Sequence, residues 1–360
     1  MKVSVIGTGN VGVAIATDLS IKGNDVSLIK TSDKQSEAYD RLLANLNTSY
    51  LKEGGVYTKA IIKSVSKDLR KIEDSDVIFV TIQSTYHESL IKRMAQYLNG
   101  DQIVVVICSY MSSFYFSKYC AVLPLIAETT GPYLEGRIEL NDKPNEVVFR
   151  VGCRLTRSPM SVFNVVRTDE CLEKLQKLFK GFSAEYSTIE SGLLNPNMVL
   201  HTVGSVMSIP RIEYSDGNFC MYHEAYSHKN KATLNIMNRL DQEKMLVLEQ
   251  LGCKKTNIYD AGGFLGKDPM KSFYDYSESS DRAISPTSIH SRYITEDVSQ
   301  GLVMLEDIAK QVNVETPIAS SLINLASIAL SEDFRKDGRT LERLGAYNYV
   351  RHLSEKKWIC

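Results

Sequence analysis

The sequence predicts an α/β chain: a doubly wound parallel sheet followed by an all-α second domain. Three observations predict it. Short apolar, β-branched runs alternate with helical periodicities through the first half. A glycine-rich hexamer, Gly7 to Gly12, joins the first run to the first helical pattern. Strand-type runs stop near residue 185, and from about Cys171 onward the spacing is almost wholly helical. At roughly 150 residues per domain, 360 residues are enough for two. The expected division is 1–185 for the dinucleotide-binding part and 186–360 for the helical part.

Taken in order, Lys2–Ile6 reads as a strand running into glycines, and Val11, Ala14, Ile15 and Leu19 then recur at helical spacing. Gly23-Asn24 ends that helix, and Asp25–Ile29 is a second strand. Asp76–Ile82 and Gln102–Cys108 are nearly continuous apolar runs, as strands buried on both faces require. Between them His87–Leu98 reads as a helix. In the second half Glu170–Phe182 reads as helical. Pro196–Ile209 follows, with Asn195 as its cap, Pro196 in its first turn and Pro210 as its stop. Leu234–Leu251 is long and ends at Gly252. Val298–Val312 places Val298, Leu302, Leu305, Ala309 and Val312 on one face. Thr316-Pro317 starts a helix to about Leu330, Asp337-Gly338 marks a turn, and Thr340–Leu344 is a short helix before Gly345.

Composition narrows the classes. Hydrophobic residues are 43% and charged residues 24%, which excludes disordered, collagen-like and coiled-coil chains. Forty-two basic against 43 acidic residues give a net charge of −1, so neither nucleic acid nor an anionic membrane surface is an expected partner. Seven cysteines, an odd number with no C-x-x-C spacing, argue against a disulfide framework or zinc site and make a reducing cytoplasm the expected location. The sequence opens on a strand pattern rather than a signal peptide. The longest apolar run, Ile103–Cys108, is too short to span a bilayer. Cys360 lacks the following residues that a prenylation motif needs. His223-Glu224 and His228 do not have H-E-x-x-H spacing, and no metal is expected.

The hexamer Gly7-Thr8-Gly9-Asn10-Val11-Gly12 is G-x-G-x-x-G between a strand and a helix, the setting of a Rossmann-type dinucleotide site. Gly7 permits the tight turn, Gly9 lets backbone approach a pyrophosphate, and Gly12 allows close helix–strand packing. Asn10 and Val11 open the helix whose N-terminal N–H groups face the phosphates. At the end of the second strand, NAD binders usually carry an acid for the ribose 2′-OH. This chain has Lys30-Thr31-Ser32 there. Lys30 and Thr31 would suit a 2′-phosphate, so NADP is the preferred cofactor, with NAD the alternative if Lys30 is merely a solvated strand end.

Asn197 and His201 lie four apart, on one face of their helix. By spacing alone His201 reads as a packed histidine as readily as a catalytic one, and Asp297 with Gln300 reads as a capping pair.

The segment Arg292-Tyr293-Ile294-Thr295-Glu296-Asp297-Val298-Ser299-Gln300-Gly301-Leu302-Val303 resembles the R-Y-x-x-E-D-x-x-x-G-L-V signature of opine dehydrogenases. Thr316-Pro317, the run from Asp333 to Gly345, the helix Asn195–His201 and Ala127-Glu128-Thr129 are similar to that family in the same order. The chain most resembles the N-(1-carboxyethyl)-amino-acid dehydrogenase type, alongside octopine and nopaline dehydrogenases. The resemblance implies NAD(P)H-dependent reductive condensation of an amino acid with a 2-oxo acid through an imine, or the reverse. It implies His201 as general acid/base and Asp297 as its carboxylate partner. Asn197 would contact the 2-oxo acid, and Arg292 would either pair with a substrate carboxylate or brace the Asp297 turn. Tyr214–Asn230 would line the amino-acid side of the cleft.

Thr202 and the loop Cys108-Ser109-Tyr110-Met111 depart from the family pattern. The rival enzyme reading is a ketopantoate reductase or glycerol-3-phosphate dehydrogenase type of reductase, whose key polar residue is expected to be a lysine. A non-catalytic dinucleotide-binding protein is the rival outside enzymes. A homodimer is a candidate assembly, although nothing in the sequence fixes the oligomeric state.

Overall fold

The computed structural model describes the chain apart from residues 141–145, 265, 281–283 and 357–360, so Cys360 lies outside the described residues. The chain divides into two compact units, Met1–Ser191 and Gly192–Cys360. Among the described residues no helix is long and apolar enough to cross a membrane.

The first unit carries twelve strands among its described residues. They are β1 Lys2–Ile6, β2 Asp25–Ile29, β3 Thr48–Glu53, β4 Val56–Ile61, β5 Ser64–Ser66, β6 Val77–Val80, β7 Ile103–Ile107, β8 Leu125–Thr129, β9 Leu134–Glu139, β10 Val148–Arg154, β11 Ser158–Val162 and β12 Phe182–Ala184. Eight form one sheet in the order β12-β11-β8-β7-β6-β1-β2-β5. From β1 the chain builds outward through β2 and β5, then returns to lay β6, β7 and β8 on the other side. The strand order therefore reverses between β1 and β6, the point at which open α/β sheets place their ligands. Val3, Val5, Val77, Phe79, Ile103, Val105 and Ile107 are buried together in its core.

Three features differ from the sequence expectation. The far edge of the sheet is not parallel: β11 runs antiparallel to β8. Where Glu170–Phe182 was expected to be one helix, the chain forms a helix over Thr168–Leu175 and enters strand β12 at Phe182. A second sheet, β4-β3-β10-β9, was not foreseen at all. Its edge strand β4 buries only Ala60 and so lacks an alternating apolar face. Its central pairing joins β3 to β10 across about a hundred residues of sequence. The local signal was Gly54-Gly55, both at positive φ, closing a two-residue hairpin between Glu53 and Val56.

In the second unit, Asn230 caps the twenty-residue helix Lys231–Gln250 by accepting the Thr233 N–H. Pro317–Leu330 follows its Thr-Pro start as expected. Pro210 does not stop a helix but occupies the first turn of the next one, Ile209–Tyr214, after Asn197–Val206 has ended. The expected helix Val298–Val312 does not begin at Val298. Arg292–Thr295 is already helical, Asp297–Leu302 widens to a π turn, and Val303–Gln311 continues as α-helix.

Candidate active site

The turn after β1 has the geometry of a phosphate cradle. Gly7 sits at φ +124°, where a side chain would be strained and would also press on Thr81 Oγ1 at 2.5 Å. A side chain at Gly12 would collide with the carbonyl oxygen of Gly7, so the helix Asn10–Ile21 can pack this close only with glycine there. Gly9 is exposed, and a Cβ built on it meets no protein atom within 4 Å. The helix N-terminus receives no side-chain cap. Glycines required by packing at Gly7 and Gly12, and open space at Gly9, are what a group lying on the turn would need, so the residues fit a dinucleotide pyrophosphate. Asn10 turns its Oδ1 to the Ile138 N–H at 2.9 Å, and Val11 is half-buried.

Lys30 is buried rather than a solvated strand end. Its ammonium donates to the Ser32 carbonyl, lies 3.4 Å from Ser32 Oγ and sits over the Tyr39 ring at 5.8 Å. Thr31 is half-buried beside it, and its carbonyl accepts from Arg93 at 3.4 Å.

The departing loop after β7 takes an unusual course, with Cys108, Tyr110 and Met111 all at positive φ. Behind it lies Glu128 on β8, fully buried. Its Oε1 accepts the Ser113 N–H at 2.6 Å and the Ser113 hydroxyl at 2.7 Å, and its Oε2 lies 3.1 Å from Ser191 Oγ. Burial pushes this carboxyl above its usual range, against the lowering effect of its hydroxyl and N–H partners.

In the second unit, Asn195 Oδ1 accepts the Asn197 N–H at 3.0 Å and so starts the helix Asn197–Val206. That helix carries His201, which is 3% exposed. His201 Nδ1 and Asp297 Oδ2 are 2.8 Å apart, with both side chains buried. A carboxylate oxygen accepts, so Nδ1 carries the proton. Asp297 is inside a helical run rather than at its start, which removes the capping reading. Tyr293, one turn earlier on the same face, lies flat on His201: the ring centroids are 3.6 Å apart and the planes 6° from parallel. Tyr222 meets His201 edge-on at 6.5 Å. Sequence reasoning quoted Tyr293 without giving it a role, yet its i, i+4 spacing from Asp297 was a usable signal.

Asn197 is half-buried, one turn before His201. Arg292 forms a long ion pair with Glu296 at 3.7 Å and lies over the Tyr293 ring at 5.4 Å. Within Tyr214–Asn230, Tyr222 joins the aromatic group around His201, while Tyr214 is 86% exposed. His223 bonds to the Ser279 carbonyl and His228 to Glu278. Among the described residues no group of His, Cys, Asp and Glu could hold a metal ion.

Residues 185–330 match the family model of the NAD/NADP octopine/nopaline dehydrogenase alpha-helical domain, and residues 2–111 match that of the NAD-dependent glycerol-3-phosphate dehydrogenase N-terminus. The chain is 26% identical to the opine dehydrogenase of Arthrobacter sp. (strain 1C), covering 95% of this chain and 94% of that one. It is 24% identical to the vitopine synthase of Allorhizobium ampelinum, covering 97% of each. Among solved structures, octopine dehydrogenase with NADH and L-arginine superposes with a TM-score of 0.74 at 18% identity over 96% of each chain. NADP+-bound yersinopine dehydrogenase gives 0.72 at 12% over 99% of each. The doubly wound sheet, the glycine turn and the helical second unit define an NAD(P)-dependent dehydrogenase. More particularly, the second unit matches the octopine/nopaline dehydrogenase alpha-helical domain, and the chain is similar to opine dehydrogenases along nearly its whole length.

Proposed function

We propose that this chain joins the amine of an amino acid to a 2-oxo acid through an imine that is then reduced, and that it also runs the reverse oxidation. The buried His201–Asp297 pair carries the reading. Forming the imine expels the carbonyl oxygen as water, so two protons must reach that oxygen: one is taken from the neutral amine as the C–N bond forms, and the second is delivered by an acid, which leaves the protonated imine. Imidazole is suited to both near neutral pH. Asp297 holds the tautomer with hydrogen on Nδ1 and stabilises the imidazolium, which assigns proton exchange with the substrate to Nε2. Tyr293 and Tyr222 keep the ring from turning. Arg292, whose side chain is 43% exposed, would offer a planar guanidinium to a substrate carboxylate, and Asn197 a polar contact on the same helix face as His201. Bound NAD(P)H supplies a hydride. Gly7, Gly9, Asn10, Val11 and Gly12 would hold its pyrophosphate, with Lys30 and Thr31 at the adenosine ribose. We favour NADP(H), because the strand end offers a held ammonium where an NAD binder carries an acid.

The test is a matrix of amino acids against 2-oxo acids, following NADPH and NADH oxidation. Turnover that requires both substrates is expected. Oxidation with the 2-oxo acid alone would instead make the chain a simple 2-oxo-acid reductase and overturn the proposal.

A further inference from the structure

The run Asp337-Gly338-Arg339 has no part in the chemistry above, yet it lies directly on the turn that carries Asp297. Arg339 is among the largest fully buried side chains, at 1% exposure. A guanidinium in such a place requires good partners. Its Nε donates to Gln300 Oε1 at 3.0 Å, and its backbone N–H donates to the Ser299 carbonyl at 2.9 Å. Both acceptors belong to the π turn Asp297–Leu302. Gln300 is fixed at its other end as well, since its Nε2 donates to Ser299 Oγ at 2.9 Å, and Ser299 Oγ donates to the Thr295 carbonyl at 2.6 Å. Gly338 completes the contact. A Cβ there would collide with the Phe334 carbonyl, come within 2.6 Å of the Ser299 carbonyl and within 2.9 Å of Val303 Cγ1. Only glycine lets the segment lie this close.

A π turn inside a helix is rare and is found mostly at functional positions. Relaxing it to α-helix would rotate Asp297 relative to the helix Val303–Gln311, whose Val303, Leu305, Ile308 and Ala309 are anchored in the core. We propose that Arg339, seated by Gly338, is a positioning residue that clamps the π turn at Ser299 and Gln300 and thereby holds Asp297 against His201 Nδ1.

The functional half of this inference rests on His201–Asp297 being the proton-transfer couple; the geometric half does not. The experiment therefore reads both. In the full-length enzyme labelled at histidine, the Nδ1 proton of His201 facing a carboxylate gives a low-field resonance, assigned by its loss in His201→Ala. Arg339→Met is expected to abolish or shift that resonance and to lower kcat about ten- to hundredfold, the scale of an ångström-sized misplacement. KM for the dinucleotide should stay nearly unchanged. Arg339→Lys, which keeps a donor and the charge, should restore part of both. Gly338→Ala, which keeps the Arg339 side chain but pushes its segment off the turn, should reproduce the Arg339→Met pattern. An unshifted resonance with unchanged kcat in folded Arg339→Met or Gly338→Ala overturns the proposal. Failure of both variants to fold also overturns it, since the segment is then structural only. A lost resonance with intact kcat keeps the clamp and refutes instead the catalytic role of the couple, which an active His201→Ala would confirm.

Discussion

His201 and Asp297, 96 residues apart in the chain, share a buried 2.8 Å hydrogen bond between an imidazole nitrogen and a carboxyl oxygen. A surface ion pair of that length would contribute little, but a buried one orients both partners. Replacing His201 with alanine is expected to lower turnover by at least ~10²-fold, the lower range for a general acid/base. Asp297→Asn should also slow turnover, because an amide no longer stabilises the imidazolium, while cofactor affinity stays nearly constant. Steady-state kinetics and a cofactor titration on each variant decide this; full activity in His201→Ala would remove the couple from the mechanism.

The glycine turn separates binding from folding. A side chain at Gly9 meets no protein atom, so Gly9→Val should fold normally and lose dinucleotide binding. Gly12→Ala should instead unfold at lower temperature, because its Cβ collides with the Gly7 carbonyl. Thermal melts with and without NADPH measure both. A Gly9→Val protein that still gains stability from the cofactor would refute the placement of the pyrophosphate.

Cofactor choice is predicted at Lys30. A charge-assisted contact to phosphate contributes roughly 1.5–3 kcal/mol, so Lys30→Asp should shift the NADPH-to-NADH affinity ratio by about tenfold or more toward NADH. Equal affinity of the unaltered protein for the two cofactors would sink the preference.

Glu128 predicts a pH effect on stability. Its pKa in the folded chain is raised by burial, so across the window between its unfolded and folded values the unfolded chain releases the proton and the native state keeps it. Stability should therefore decline as pH rises from the ordinary carboxylate range toward the folded value. Glu128→Gln retains an acceptor for the Ser113 N–H and hydroxyl, so it should remove that decline without loss of folding. Glu128→Ala leaves those donors unmet and should cost about 1–3 kcal/mol or more. Urea unfolding of the three proteins between pH 4 and pH 8 is the measurement; identical pH dependence in the wild type and Glu128→Gln would count against it.

Local pattern carried much of this molecule. The strands β1, β2, β6 and β7, the glycine turn and the Thr-Pro start of Pro317–Leu330 follow from period, propensity and turn chemistry, which act between near neighbours. The order of residues in R-Y-x-x-E-D and D-G-R was legible too, as a family likeness. Tertiary structure alone decided what those residues face. Asp297 read as a helix cap because sequence shows only its own helix; its partner arrives from another helix, and the π turn that presents it depends on Arg339 and Gly338 packed against it. The second sheet was hidden for the same reason. Its strands β3 and β10 are paired by long-range hydrogen bonds, and the edge strand β4 is held by its hairpin pairing with β3 rather than by an apolar face of its own.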